Sequence, residues 1–127
     1  MEKGILSDGE WKLMKLLWQK APRTIGEMVS ELDEETSWSR TTVFVMLKRL
    51  IAKEAVRMDD SGQLQQYYPV LKRKEVERAE TDSFLSRVYD GSVGFMVSSL
   101  VGRRALTDKE IRELRAILEE AEKKGGA

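Results

Sequence analysis

Residues 36–50 read TSWSRTTVFVMLKRL, and this stretch carries Arg40, Lys48 and Arg49 without a single acid. Immediately upstream stand Glu31, Asp33, Glu34 and Glu35, and the next charged residue downstream is Lys53. Twenty-two basic residues balance twenty-two acidic ones, so the chain has no surplus of positive charge and its bases are instead sorted by position. The periodicity predicts a helix from about Ser39 to Glu54, with Val43, Met46, Leu47, Leu50 and Ile51 on its buried side. Arg40, Thr41, Phe44, Val45 and Lys48 then point outward, a mixture of bases, a hydroxyl and apolar groups unlike an ordinary solvated face.

A helix that enters the major groove of a duplex brings its first turns close to phosphates and base edges, where acids would be repelled. On that reading Ser39, Arg40, Thr41 and Thr42 sit at the positive end of the helix and hold phosphate oxygens. Thr41, Phe44, Val45 and Lys48 lie along the groove floor, Phe and Val against thymine methyls and Lys toward guanine. Arg49 and Lys53 meet phosphate. The competing reading is a protein-interaction module that uses Phe44, Val45 and the following hairpin, whose affinity would survive high salt.

The flanking sequence supplies the context. Asp8 to Lys20 reads as a helix with Ser7 or Asp8 as cap and Trp11, Met14, Leu17 and Trp18 at helical spacing, ended by Ala21-Pro22. A second helix runs from about Thr24 to Leu32, with Thr24 and Glu27 as a capping box, and the acidic segment Asp33 to Ser37 reads as a loop. After the basic helix, Ala55 to Met58 and Gln63 to Val70 alternate like two strands around Asp59-Asp60-Ser61-Gly62. Three helices followed by a hairpin is the order of a winged helix-turn-helix. Trp11, Trp18 and Trp38 are expected to pack against the core, and Lys72-Arg73-Lys74 to form a solvated connector.

From Lys74 the pattern returns to helix up to Asp90-Gly91, then passes through the apolar segment Ser92 to Val101 and a last helix capped by Thr107 and Glu110. These helices are too one-sidedly apolar to stand alone, which favours pairing with a second copy. Phe84, Val88, Tyr89, Met96, Val97, Leu100, Val101, Ile111, Leu114 and Leu118 are the expected dimerisation residues. The fold class is therefore mainly α with a small β-hairpin: a DNA-binding domain over residues 1–73 and a helical dimerisation domain over 74–127.

Composition narrows the chemistry. With no cysteine and no histidine, disulfides, thiol nucleophiles and the usual zinc or copper ligands are excluded, and no catalytic residues, metal site or cofactor are expected. No apolar run approaches the roughly 20 residues that span a bilayer, and the N-terminus lacks a signal peptide's apolar centre, so no membrane insertion and a cytoplasmic location are expected.

The segments LSDGEWKLMKLLW, TSWSRTTVFVMLKRL, QQYYPV, RAETDSFLSRVYDGSV and LTDKEIRELRAIL together resemble the penicillinase and methicillin-resistance repressors of the BlaI/MecI type, whose wider group includes copper-responsive repressors. The resemblance covers nearly the whole chain. It implies a homodimeric repressor that binds a palindromic operator in double-stranded DNA, with a role in antibiotic resistance and a membrane sensor protease system as partner in the antibiotic-responsive members. Cleavable relatives carry an Asn-Phe bond in the penultimate helix where this chain has Ser99-Leu100, the candidate cleavage site. Copper-responsive relatives use cysteines, which this chain lacks, and the family often has Pro at the position of Arg40 and a polar residue at that of Phe44.

Overall fold

The computed structural model describes residues 6–103 and 105–125. Helix α1 (Asp8–Gln19) starts where Ser7 and Glu10 cap each other: Ser7 Oγ accepts from the Glu10 N–H at 3.2 Å and Glu10 Oε1 accepts from the Ser7 N–H at 3.0 Å. Helix α2 (Ile25–Glu31) begins with the same device, built from Thr24 and Glu27. A one-turn helix α3 (Asp33–Thr36) replaces the loop expected from the acidic run. It is closed locally, with Thr36 Oγ1 donating to Leu32 O and the Ser37 N–H to Asp33 O, both at 2.9 Å, and Ser37 leaves it in the left-handed region at φ 54°. The basic helix expected third is thus α4 (Arg40–Ala52), with Ser39 as N-cap.

Strands β1 (Val56–Asp59) and β2 (Gln66–Pro69) pair antiparallel with Val56 opposite Pro69 and Asp59 opposite Gln66. The second strand is shorter than the alternation predicts, because Gln63 to Gln65 belong to the turn instead. A backbone bridge between Arg23 and Tyr67 extends the hairpin toward the α1–α2 connection. Arg23 is buried and donates through Nε to Lys20 O at 2.9 Å and to Leu16 O at 3.1 Å, a carbonyl that also accepts from the Lys20 N–H, so its side chain seals the end of α1 while its backbone holds the wing.

One core joins these elements. Leu13, Met14 and Leu17 of α1, Met28 of α2, Val43, Leu47 and Leu50 of α4, and Val56 and Tyr67 of the hairpin are buried together. Each buried leucine contributes about 2 kcal/mol of transfer free energy, which fixes α4 firmly on its scaffold. Ile51 does not belong to this core: it is 38% exposed, because it falls at the edge of the stripe that Val43, Leu47 and Leu50 define. The tryptophans line the core's margin as expected. Trp11 and Trp18 meet edge-to-face at 5.8 Å, and Trp18 Nε1 donates to Leu71 O at 2.9 Å. Trp38 lies over Gly9, where a Cβ would approach its ring to 3.3 Å and Met46 Sδ to 2.8 Å, so the missing side chain lets α1 and α4 come close.

Helix α5 (Arg73–Tyr89) contributes Val76 to the same core, and Glu80 Oε2 accepts from the Leu6 N–H at 3.1 Å. The chain accordingly divides into two compact units between Thr81 and Asp82, within α5 rather than at the 73/74 connector. In the second unit, α5 ends at Asp90 and Gly91, both with positive φ. Helix α6 (Val93–Gly102) is capped by Ser92, whose Oγ accepts from the Phe95 N–H at 3.0 Å, and α7 (Asp108–Gly125) by the expected Thr107–Glu110 box.

Candidate nucleic-acid interface

Most of the residues expected to touch a duplex share the outward side of α4, opposite the buried stripe. Arg40, Thr41, Thr42, Phe44, Val45, Lys48 and Arg49 are all exposed, and no acid interrupts them. Ser39 is exposed but committed to capping: its Oγ accepts from the Thr42 N–H at 3.1 Å and lies 3.1 Å from Thr42 Oγ1. The Lys48 ammonium sits 5.6 Å from the centre of the Phe44 ring, so the two form one cationic, aromatic-backed contact. Phe44 and Val45, at 42% and 40% exposure, are surface groups without a fixed partner in the core.

Lys53 has a different environment. Its Nζ pairs with Oε1 of Glu10, a carboxylate that is only 2% exposed and also caps α1. The C-terminal end of α4 is thereby tied to the start of α1, and the Lys53 charge is matched within the domain by Glu10. A similar pairing occupies part of the acidic run, where Lys12 of α1 meets Glu35 of α3.

The wing adds groups that sequence reading missed. Arg57 stacks its guanidinium 4.0 Å over the ring of Tyr68, its cross-strand partner, on the face opposite buried Val56 and Tyr67. Asp59 is turned into the wing's own bend: the Ser61 backbone N–H, 2.9 Å from Oδ1, and the Ser61 hydroxyl hold its carboxyl below the ordinary 3.8, with Arg57 assisting. A cleft of about 530 Å³ runs between the wing and the helices, lined by Thr24, Ile25, Gly26, Arg40, Gln63, Leu64 and Gln65. Of these only Arg40 was a sequence-predicted site residue. The glycine early in α2 was the one available signal for the rest, because glycine inside a helical pattern calls for a close neighbour.

Among the described residues from Asp82 onward none is buried. Phe84, Val88, Val101, Ile111 and Leu118 are exposed, and Tyr89, Met96, Val97, Leu100 and Leu114 half-buried. Phe84, Tyr89 and Phe95 stack edge-to-face in series, at 5.8 and 5.2 Å. Val97, Val101, Leu106, Ile111, Leu114 and Leu118 line an apolar groove of about 350 Å³ between α6 and α7. Ser99-Leu100 lies inside α6. Among the described residues no group of three or more acidic, histidine or cysteine side chains is placed to hold a metal ion, and no helix is long and apolar enough to cross a membrane.

Comparison with known proteins agrees with this arrangement. The model of the penicillinase repressor family matches residues 6–120. The penicillinase repressor of Bacillus licheniformis is 34% identical over 115 residues, covering 91% of this chain and 90% of that protein. The methicillin resistance regulatory protein MecI of Staphylococcus aureus is 26% identical over 113 residues, with 89% and 92% covered. Among solved structures, the DNA binding domain of the repressor BlaI superposes with a TM-score of 0.51 at 30% identity, over 57% of this chain and 88% of that one. The chain belongs to the penicillinase repressor family.

Proposed function

We propose that this protein is a homodimeric transcriptional repressor that binds a palindromic operator in cytoplasmic DNA, α4 lying in the major groove and the wing beside it. The observation that carries this reading is the acid-free outward face of α4, where Arg40, Thr41, Lys48 and Arg49 are presented together by a helix whose other side is locked in the core. Thr41, Phe44, Val45 and Lys48 read base edges, while Arg40, Thr42 and Arg49 hold the backbone. Dimerisation follows from the unburied apolar faces of α5, α6 and α7, which need a second copy to leave water. One winged helix binds weakly; two held at a fixed spacing share a high effective concentration and bind strongly. Regulation by a sensor protease would require local opening of α6 before the Ser99-Leu100 bond could be cut.

A mobility-shift titration with the DNA upstream of the protein's own gene tests the reading. With roughly three phosphate contacts per subunit, the log-log salt slope is expected near about −5 for the dimer. Binding that ignores salt would instead favour a protein-interaction role for Phe44 and Val45.

A further inference from the structure

Gly26 lies in the first turn of α2, where alanine would make the better helix former. What fills the space beside it is Arg40: a Cβ on Gly26 would lie 3.1 Å from Arg40 Nη1, tighter than ordinary van der Waals contact. The guanidinium therefore rests against bare helix backbone, on one side of the cleft that Gln63, Leu64 and Gln65 of the wing close on the other.

The cleft sets the polar groups of Arg40, Gln63 and Gln65 among apolar walls from Ile25 and Leu64. None of its lining residues is acidic, and Glu27, in the same turn of α2, turns its Oε1 back onto the Thr24 N–H at 2.8 Å. On the wing side, the Tyr67 hydroxyl donates to Gln65 Oε1 at 3.3 Å, which leaves the two Nε2 hydrogens of Gln65 for an outside acceptor. A guanidinium and an amide N–H₂ lining the same open cleft suit a phosphodiester, whose free oxygens carry one negative charge and accept several hydrogen bonds.

We infer that Gly26 is a positioning residue for Arg40, and that Arg40 and Gln65 together hold one backbone phosphate of the operator in this cleft. The inference rests on the DNA-binding reading above. Two effects of opposite sign distinguish it from a purely structural role. Gly26→Ala should raise the melting temperature by about 2–5 °C, as a better helix former does. The same substitution should weaken operator binding about three- to tenfold by displacing the guanidinium.

The experiment is an anisotropy titration of the full chain on its upstream duplex over a salt series, with Gly26→Ala, Arg40→Ala, the double variant and Arg49→Ala, each also melted. Arg40→Ala should reduce the steepness of the salt dependence by about 1 per subunit. The double variant should bind no worse than Arg40→Ala alone, since Gly26 acts through Arg40. Wild-type affinity in Gly26→Ala, a lowered melting temperature with it, or additive losses in the double variant would overturn the assignment, even where Arg49→Ala is weakened as a DNA contact should be. If the wild-type protein showed no salt-sensitive binding at all, the DNA reading itself would fail and this inference with it.

Discussion

Lys48 and Arg49 are adjacent in sequence but stand about 100° apart around α4, so one looks along the outward crest and the other to its flank. Arg49→Ala should therefore weaken binding to every duplex alike and flatten the salt slope by about 1 per subunit. Lys48→Ala should instead redistribute preference among single-base operator variants, by about 1–3 kcal/mol at one position, as measured in competition binding. A second residue-scale prediction concerns Tyr67, whose phenol burial pushes above its ordinary 10.0. A neutral phenol retained in the folded state contributes stability that is fully present below the ordinary value and is lost as pH climbs from there through the folded-state value. Denaturant midpoints from pH 9 upward should show this alkaline loss in the wild type and not in Tyr67→Phe; equal loss in both would contradict it. The exposed bases of α4 were readable because charge and helical period are local properties. The Glu10–Lys53 pair was not, because its partners are 43 residues apart and only the packing of α1 on α4 brings them together.

Caps and apolar periods made most of the elements readable: the Thr24–Glu27 and Thr107–Glu110 boxes each mark a helix start in sequence and in structure, and of the two caps open to α1 the structure uses Ser7, paired with Glu10. Elements shaped by tertiary context were harder. The turn α3 has too few apolar residues to show a period, β2 is trimmed at Gln66 by the wing's bend, and Ile51 sits at the edge of a stripe that only the packed neighbours define. Arg23, polar in sequence, is buried because the end of α1 and the wing both need its hydrogen bonds. The seam between α1 and α4 can be tested at Glu10. Glu10→Ala removes both the cap acceptor and the partner of Lys53, and should cost about 2–3 kcal/mol in urea denaturation, less than a fully buried broken pair because the Lys53 side chain regains water. Glu10→Gln keeps the capping hydrogen bond and should lose less.

At the scale of the molecule the two units differ in kind. The first closes its own core around Leu13, Met28, Leu47 and Tyr67, whereas the second leaves Phe84, Val88, Phe95, Ile117 and Leu118 in water. The apolar excess of the last helices was plain in the sequence, but the position of the division was not, since it depends on Val76 reaching back into the first core. A protein so built is expected to work as a pair, each copy setting one α4 on one half of a symmetric site. The most direct test is to titrate the purified chain against a full palindromic duplex and against a single half-site, reading affinity and stoichiometry together, with Leu118→Glu as the variant that charges the exposed face of α7. Two chains per full site, bound at least about 100-fold more tightly than the half-site, with Leu118→Glu falling toward half-site affinity, is the predicted result. One chain per duplex, or equal affinity for full and half sites, would contradict it.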